Sequence, residues 1–380
     1  MKIKDVRALP LLGATPDGGW SRGYDPDESL HTLVEVVTDE GVTGLGSVYT
    51  SGKLVAAALE LLKPLCLGAS ALGPSAVSEN LHQQTFWQGR GGTLTHAISG
   101  IDIALWDIFG KATKQSVGRL LGGRLRERIK PYGSLLMAEP AEMKRRLAAG
   151  LERGFRAFKI GWGPFGRKDA KTDEAIVKAA REAVGPDVEL MVDAGGSDAF
   201  WPHGYKWALQ AARMLAQYEV VWFEEALRPD DFEGFVKLTE HAPLPIAGGE
   251  TFTRRQSFLP WIEQRAFDYI QPDATKVGGL TEMHRLGLCA DDHQVLLVPH
   301  GWNTAVGLAA DLQLVSAAGN ARWIEYITPA PYIEDLLQQP VRLDAEGWVD
   351  IPDAPGLGLA FNPDGVEKHA RGLKLTRSAL

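Results

Sequence analysis

The sequence predicts an α/β protein in which a (β/α) barrel follows an α+β N-terminal capping lobe. From residue 129 onward, short apolar β-rich runs alternate with amphipathic helical segments eight times. Seven of those runs carry an ionisable side chain at or near their C-terminal residue. Before residue 125 the texture differs, with strands first and helices after them.

Totals agree with this division. At 380 residues the chain exceeds what one hydrophobic core usually serves. Apolar residues make up 45% and charged residues 23%, as in an ordinary globular protein, and no run of about 18 apolar residues offers a membrane span. A net charge of −8 disfavours a nucleic-acid partner, so an anionic substrate would have to be held by a local cation. The opening MKIKDVRALPLLG lacks the apolar stretch and cleavage site of a signal peptide, which leads us to expect a cytoplasmic protein. Cys66 and Cys289 lie in apolar helical contexts without a CxxC, and both read as buried structural thiols.

Taken in order, HTLVEVVT (31–38) and VTGLGSVY (42–49) flank Asp39-Glu40-Gly41, a hairpin signal. The preceding PDGGWSRGYDPDES is too rich in Gly, Asp and Pro to pack as a core element and reads as a lid over a binding site. Helical patterns follow at 53–65, 76–88 and 92–113; Asp102 and Asp107 on the last are expected to be structural. The barrel strands are then IKPYGSLL, RAFKIGW, VELMVDA, EVVWFEE, LPIAGGE, FDYIQPD, QVLLVPH and ARWIEYI. Their near-continuous apolarity follows from burial on both faces of a parallel sheet. After residue 330 the alternation stops, and VRLDAEGWVDIPDAPGLG reads as a hairpin returning to the first lobe. The expected segments are 1–125 for the capping domain, 126–330 for the barrel and 331–380 for the returning C-terminus.

Catalytic groups of such barrels come from the C-terminal ends of the strands, where Lys159, Asp193, Glu224, Glu250, Asp273, His300 and Glu325 fall. Asp193, Glu224 and Glu250 close three successive strands, and three converging carboxylates repel one another unless a cation neutralises them. All-oxygen ligands suit Mg²⁺, with Mn²⁺ as a substitute; no HxH or HExxH offers a zinc site. Asp273 and His300 end adjacent strands, where the aspartate would fix the imidazole tautomer and leave the other ring nitrogen free to take a proton. Lys159 approaches from the opposite side, and a neighbouring divalent ion would lower its pKa toward neutrality. Two acid/base groups would thus flank one carboxylate substrate, and the reaction class is abstraction of the proton α to that carboxylate. The enolate would be stabilised by the metal and by donors such as Lys276 and protonated Glu325. Asp291-Asp292-His293 falls before the seventh strand, on the face that serves stability, and is rejected as a metal site.

These residues resemble the enolase superfamily, and within it the mandelate racemase group. The resemblance runs from IDIALWDIFGKA and LLGG through FKIG, VDA, WFEE, GGE, QPDATKVGG and VPH to IEY at Glu325. It implies a modified TIM barrel, Asp193, Glu224 and Glu250 as Mg²⁺ ligands, the Asp273 and His300 dyad as one base, and Lys159 as the opposing acid/base. It also implies Glu325 as the hydrogen-bond partner of the enolate, Lys276 as a cation near the carboxylate site, and a homo-oligomer. Such proteins mostly dehydrate acid sugars; others racemise or epimerise, or open sugar lactones. Two departures bear on chemistry. Ala157 stands where the group usually has the first lysine of Lys-x-Lys, which tilts the expectation toward dehydration, and Gly195 stands where Asn is common, leaving room for a larger substrate group. A metal-binding scaffold without activity is the alternative of another class. Trp20, Arg22, Tyr24, Trp162, His203, Trp302 and Asn303 are candidates for the wall facing the sugar.

Overall fold

The computed structural model describes residues 1–12 and 30–379. The expected lid, with Trp20, Arg22 and Tyr24, lies outside the described residues.

Strands β1 (Ile3–Pro10), β2 (His31–Thr38) and β3 (Thr43–Tyr49) form an antiparallel sheet in that order. Gly41, at φ +81°, makes the β2–β3 turn. Helices α1 (Gly52–Cys66), α2 (Pro74–Gln84) and α3 (Thr93–Thr113) cover this sheet, burying Val34, Val36 and Val48 against Ile98, Ile101 and Ile108. Helix α3 rests on β3 backbone to backbone: a Cβ at Gly46 would lie 1.8 Å from the Gly100 carbonyl oxygen. The short α4 (Val117–Leu120) leads into the barrel.

The barrel alternates β4 (Arg128–Leu136), α5 (Pro140–Glu152), β5 (Ala157–Gly161), α6 (Ala170–Val184), β6 (Glu189–Asp193), α7 (Tyr205–Ala216), β7 (Val220–Glu224) and α8 (Phe232–His241). It continues with β8 (Ile246–Gly248), α9 (Arg255–Glu263), β9 (Tyr269–Ile270), α10 (Gly279–Asp292), β10 (Leu296–Leu297), α11 (Ala305–Ala317) and β11 (Trp323–Ile327). Each strand falls within one of the eight expected runs except β4, which begins one residue earlier, at Arg128. All neighbours pair in parallel along the order β10-β9-β8-β7-β6-β5-β4-β11, and a single parallel bridge from Leu297 to Ala321 joins the two ends. Tyr132, Ala157, Met191, Trp222, Val298 and Trp323 pack into one buried cluster inside the barrel, with Trp222 and Trp323 ring centroids 5.2 Å apart.

The hairpin expected over 341–358 does not form. A turn at Asp344–Gly347 leads to β12 (Val349–Asp350), which pairs antiparallel with β4 instead. Arg128 and Ile129 project beyond the ladders that β4 makes with β5 and β11, so their edge was free to take that strand. The chain then passes α3, where Leu357 N–H donates to Asp107 Oδ1 at 3.1 Å. Beyond α12 (Pro331–Glu334) and α13 (Pro363–His369), Thr376 N–H reaches Glu35 Oε1 on β2 at 2.7 Å.

Asp102 is structural, as expected. From α3 it accepts both the N–H (2.9 Å) and the hydroxyl (2.6 Å) of Thr281 in the first turn of α10, tying lobe to barrel. Asp291 and Asp292 are exposed at the end of α10, away from the strand C-termini. Cys66 is buried, whereas Cys289 is only half-buried, a small correction to the expected burial of both.

Candidate active site

A cavity opens at the C-terminal ends of the barrel strands, lined by Ser134, Lys159, Trp162, Asp193, Glu250, His300, Trp302 and Glu325 among others. The parallel register explains the convergence: Gly161 pairs with Asp193, and Asp193 with Glu224, so successive strand ends deliver their side chains at one level.

Asp193, Glu224 and Glu250 each offer one carboxylate oxygen within 4.8 Å of the others, and all three residues are buried. Burial, then the neighbouring Glu224 carboxylate, lifts Asp193 well above the usual carboxylate range; burial also lifts Glu224. Such a set fits a hard divalent cation, which would supply the charge the carboxylates lack. Glu224 Oε2 is spoken for, accepting from Trp222 Nε1 (3.0 Å) and Gln271 Nε2 (2.6 Å). Asp193 Oδ1 accepts from Gly195 N–H at 2.7 Å. A fourth buried carboxylate, Glu225, accepts from Ser197 Oγ at 2.5 Å.

His300 Nδ1 lies 2.8 Å from Asp273 Oδ2, while its Nε2 lies 3.3 Å from Glu250 Oε2. Asp273 is itself anchored at Oδ1 by Thr275 N–H (2.7 Å), Thr275 Oγ1 (2.6 Å) and Asn303 Nδ2 (3.2 Å). Burial alone would push the imidazolium pKa down; Glu250 and the Asp273 hydrogen bond outweigh it and raise it to about 9. The same hydrogen bond overcomes burial at Asp273 and holds its carboxyl at about 2.

Lys159 stands across the cavity, its Nζ 2.6 Å from Glu224 Oε1 and 3.1 Å from Glu325 Oε1. Burial disfavours the ammonium, yet these two carboxylates hold its pKa above the ordinary lysine value; the lowering expected belongs to the state with a divalent ion beside it. Glu325 also accepts from Gly301 N–H at 2.7 Å. Although burial favours its protonated form, Lys159 and His300 hold its pKa below the usual range.

Lys276 is not among the cavity-lining residues; its ammonium lies 5.0 Å from the centre of the Tyr49 ring, which in turn lies 6.3 Å from the His300 ring. Of the wall candidates, Trp162 and Trp302 line the cavity. Asn303 instead braces Asp273, and His203 is stacked on Trp207 at 4.2 Å with Nε2 against the Gly166 carbonyl. The space expected beside Gly195 is filled: a Cβ there would lie 2.7 Å from the Trp162 indole. Ala157 packs with Tyr132 and Trp222 beneath Lys159. Gln271 and Trp222 went unread in the sequence. Each stands two residues before a strand-end carboxylate, Asp273 or Glu224, and period-two alternation puts such pairs on one face.

A closed parallel barrel that gathers buried carboxylates, a His–Asp pair and a lysine beneath an α+β lobe defines a protein of the enolase type. The enolase C-terminal domain-like family matches residues 142–365, and the mandelate racemase / muconate lactonizing enzyme N-terminal domain matches residues 27–122. The chain belongs to the mandelate racemase / muconate lactonizing enzyme family. It is 34% identical over 386 residues to the D-galactarolactone cycloisomerase of Agrobacterium fabrum, covering 96% of this chain and 98% of that one. With the arabinonate dehydratase of Saccharolobus solfataricus it shares 32% identity over 376 residues, at 96% and 98% coverage. The solved 3,6-anhydro-D-galactonate cycloisomerase of Zobellia galactanivorans superimposes with a TM-score of 0.86 at 28% identity, covering 97% of this chain and 99% of that one. Members of the superfamily use Mg²⁺, and the buried triad could hold a metal ion.

Proposed function

We propose that the protein abstracts the proton α to the carboxylate of an acid sugar, an aldonate or aldarate, and eliminates the β-hydroxyl to give a 2-keto-3-deoxy acid and water. The observation that carries this reading is the placement of His300 and Lys159 on opposite sides of the Asp193, Glu224 and Glu250 cluster. Those three carboxylates are the proposed Mg²⁺ ligands. When bound, Mg²⁺ supplies the charge that makes the α-proton acidic and neutralises the enolate. His300, its Nδ1 proton held by Asp273, takes the α-proton at Nε2. Lys159 is the opposing acid that protonates the departing hydroxyl. Glu325 aligns Lys159 and, once protonated, donates a hydrogen bond to the enolate, and Lys276 adds positive charge beside the Tyr49 ring.

One experiment tests this. The protein, with Mg²⁺ in D₂O, is mixed with aldonates, aldarates, uronates and sugar lactones and followed by proton NMR. A new C3 methylene with loss of the α-proton is expected, abolished by EDTA and restored by Mg²⁺. Exchange of the α-proton without water loss would replace dehydration by racemisation or epimerisation, and silence across the library would favour a metal-binding scaffold. A second reading, opening of a sugar lactone by the same α-proton abstraction, is favoured by the 34% identity to a cycloisomerase; it predicts consumption of a lactone with no water released.

The proposal includes a capping domain over 1–125, a barrel over 126–330 and a returning segment over 331–380, in a cytoplasmic homo-oligomer without nucleic-acid or membrane partners. Sedimentation at two concentrations tests the assembly. No described helix is long and apolar enough to cross a membrane.

A further inference from the structure

Arg254 lies in the loop between β8 and α9, four residues beyond Glu250, and its backbone N–H donates to the Val277 carbonyl at 2.9 Å. The residue is only 5% exposed, yet its Nε has no hydrogen-bond partner, and among the described residues no carboxylate forms an ion pair with it. Glu282, an acid whose charge reaches it, is committed elsewhere. Its oxygens bind the guanidinium and the backbone N–H of Arg255 and take a further contact from Arg285 at 3.1 Å. Glu79 is bound by Gln83 at 2.8 Å.

Other groups that prefer an anion share this place. His82 on α2 is 4% exposed, and its Nε2 is buried without a partner. Burial, then Arg254, keeps that ring neutral with a pKa of about 4, so it can donate one N–H without adding charge. Arg90 lies 4.9 Å from the centre of the Phe86 ring, and Arg254 lies 5.9 Å from the same centre. The capping-lobe loop touches the barrel loop here, since a Cβ on Gly91 would meet Thr253 Oγ1 at 2.5 Å. A guanidinium whose Nε is cut off from water while its terminal nitrogens stay free of a protein partner calls for an acceptor at that fork, and two oxygens on one carbon or phosphorus match it.

We infer that the junction between the α2–α3 loop and the β8–α9 loop is a binding site for a small oxyanion, a carboxylate or a phosphate. Arg254 grips it by two oxygens, with Arg90 and the His82 Nε2–H as further donors. Occupancy would tie the capping lobe to the loop that follows Glu250. The site is separate from the catalytic cavity, whose lining includes none of these residues, and it stands whether or not the protein is a dehydratase.

The test compares thermal unfolding and calorimetric titration of the full chain with Mg²⁺, in chloride, inorganic phosphate or succinate at matched ionic strength. Saturable binding is expected, with a midpoint temperature that climbs with the logarithm of anion concentration. A response to phosphate alone, or to succinate alone, supports the site and names its anion. Arg90→Gln should weaken binding about tenfold or more, the worth of one charge-assisted hydrogen bond. Arg254→Met should abolish binding and, by removing an unpaired buried cation, should not lower the midpoint in chloride. His300→Asn should keep the full anion response, which separates this site from the catalytic reading. Absence of binding by both anions, or a midpoint in chloride that drops for Arg254→Met, overturns the inference. So would dissociation of an oligomer by Arg254→Met with no anion response, which would give the guanidinium a carboxylate of a second copy as its partner.

Discussion

Replacing Asp273 by asparagine changes one atom and should reverse the polarity of the base. Asp273 Oδ1 receives three donors, among them the Thr275 backbone N–H at 2.7 Å, which cannot turn round to accept. In Asp273→Asn the new amide oxygen must therefore take the Oδ1 position, which puts the amide NH₂ where Oδ2 now faces His300 Nδ1 at 2.8 Å. That NH₂ would donate to Nδ1 and drive the ring proton to Nε2, the nitrogen proposed to accept from substrate. A positioned general base contributes about 10²- to 10⁴-fold, so kcat should fall by about that factor with little change in KM. The His300 pKa, about 9 beside the carboxylate, should fall with it. Single-turnover kinetics give the rate, and two-dimensional ¹⁵N NMR of the imidazole gives the tautomer. Turnover within an order of magnitude of the parent, or an Nδ1–H that persists in the variant, would refute the assignment of His300 as an aspartate-oriented base.

Three further outcomes follow from the geometry. Gln271→Leu leaves Glu224 Oε2 with Trp222 as its remaining donor, and calorimetric titration should show Mg²⁺ affinity weaker by about 10- to 100-fold. Burial lifts Asp102 from its ordinary 3.8 to about 7, so its carboxyl stays protonated in the fold over pH values where the unfolded chain has released that proton. Stability should then decline as pH rises from about 4 to about 7, and urea titrations of Asp102→Asn should lose that slope. Gly195→Ala forces a side chain into a φ of +64° and against the Trp162 indole; a loss of about 1–3 kcal/mol in urea unfolding is expected, and an unchanged midpoint would show that the indole yields freely.

The barrel was legible because burial on both faces writes parallel strands as apolar runs, and because their ends carry charge that no apolar core would tolerate. The same logic located Asp193, Glu224, Glu250 and His300, whose side chains meet in the structure. What escaped reading depended on distances between strands. The grip of Gln271 and Trp222 on Glu224 joins two strands through side-chain reach. Lys159 meets not only Glu224, at 2.6 Å, but also Glu325, 166 residues away in the chain and 3.1 Å from it. The open space anticipated beside Gly195 is taken by the Trp162 indole, whose position no local pattern around it announced. The hairpin expected after residue 340 failed for a topological reason: a strand edge already present on β4 was the better partner for Val349 and Asp350.

Strand length around the barrel is uneven, with five or more residues in each of β4 to β7 and in β11, but two in β9 and two in β10. Those two short ladders lead directly into Asp273 and His300, next to the single bridge that closes the cylinder. The dyad therefore stands beside the seam of the barrel, where β10 meets β11 through one bridge, while the His300 N–H still donates to the Pro272 carbonyl at 3.1 Å. Amide protons of β9 and β10 should exchange ahead of those in β5 to β7. A ligand that grips the dyad would then brace the seam of the cylinder from inside the cavity.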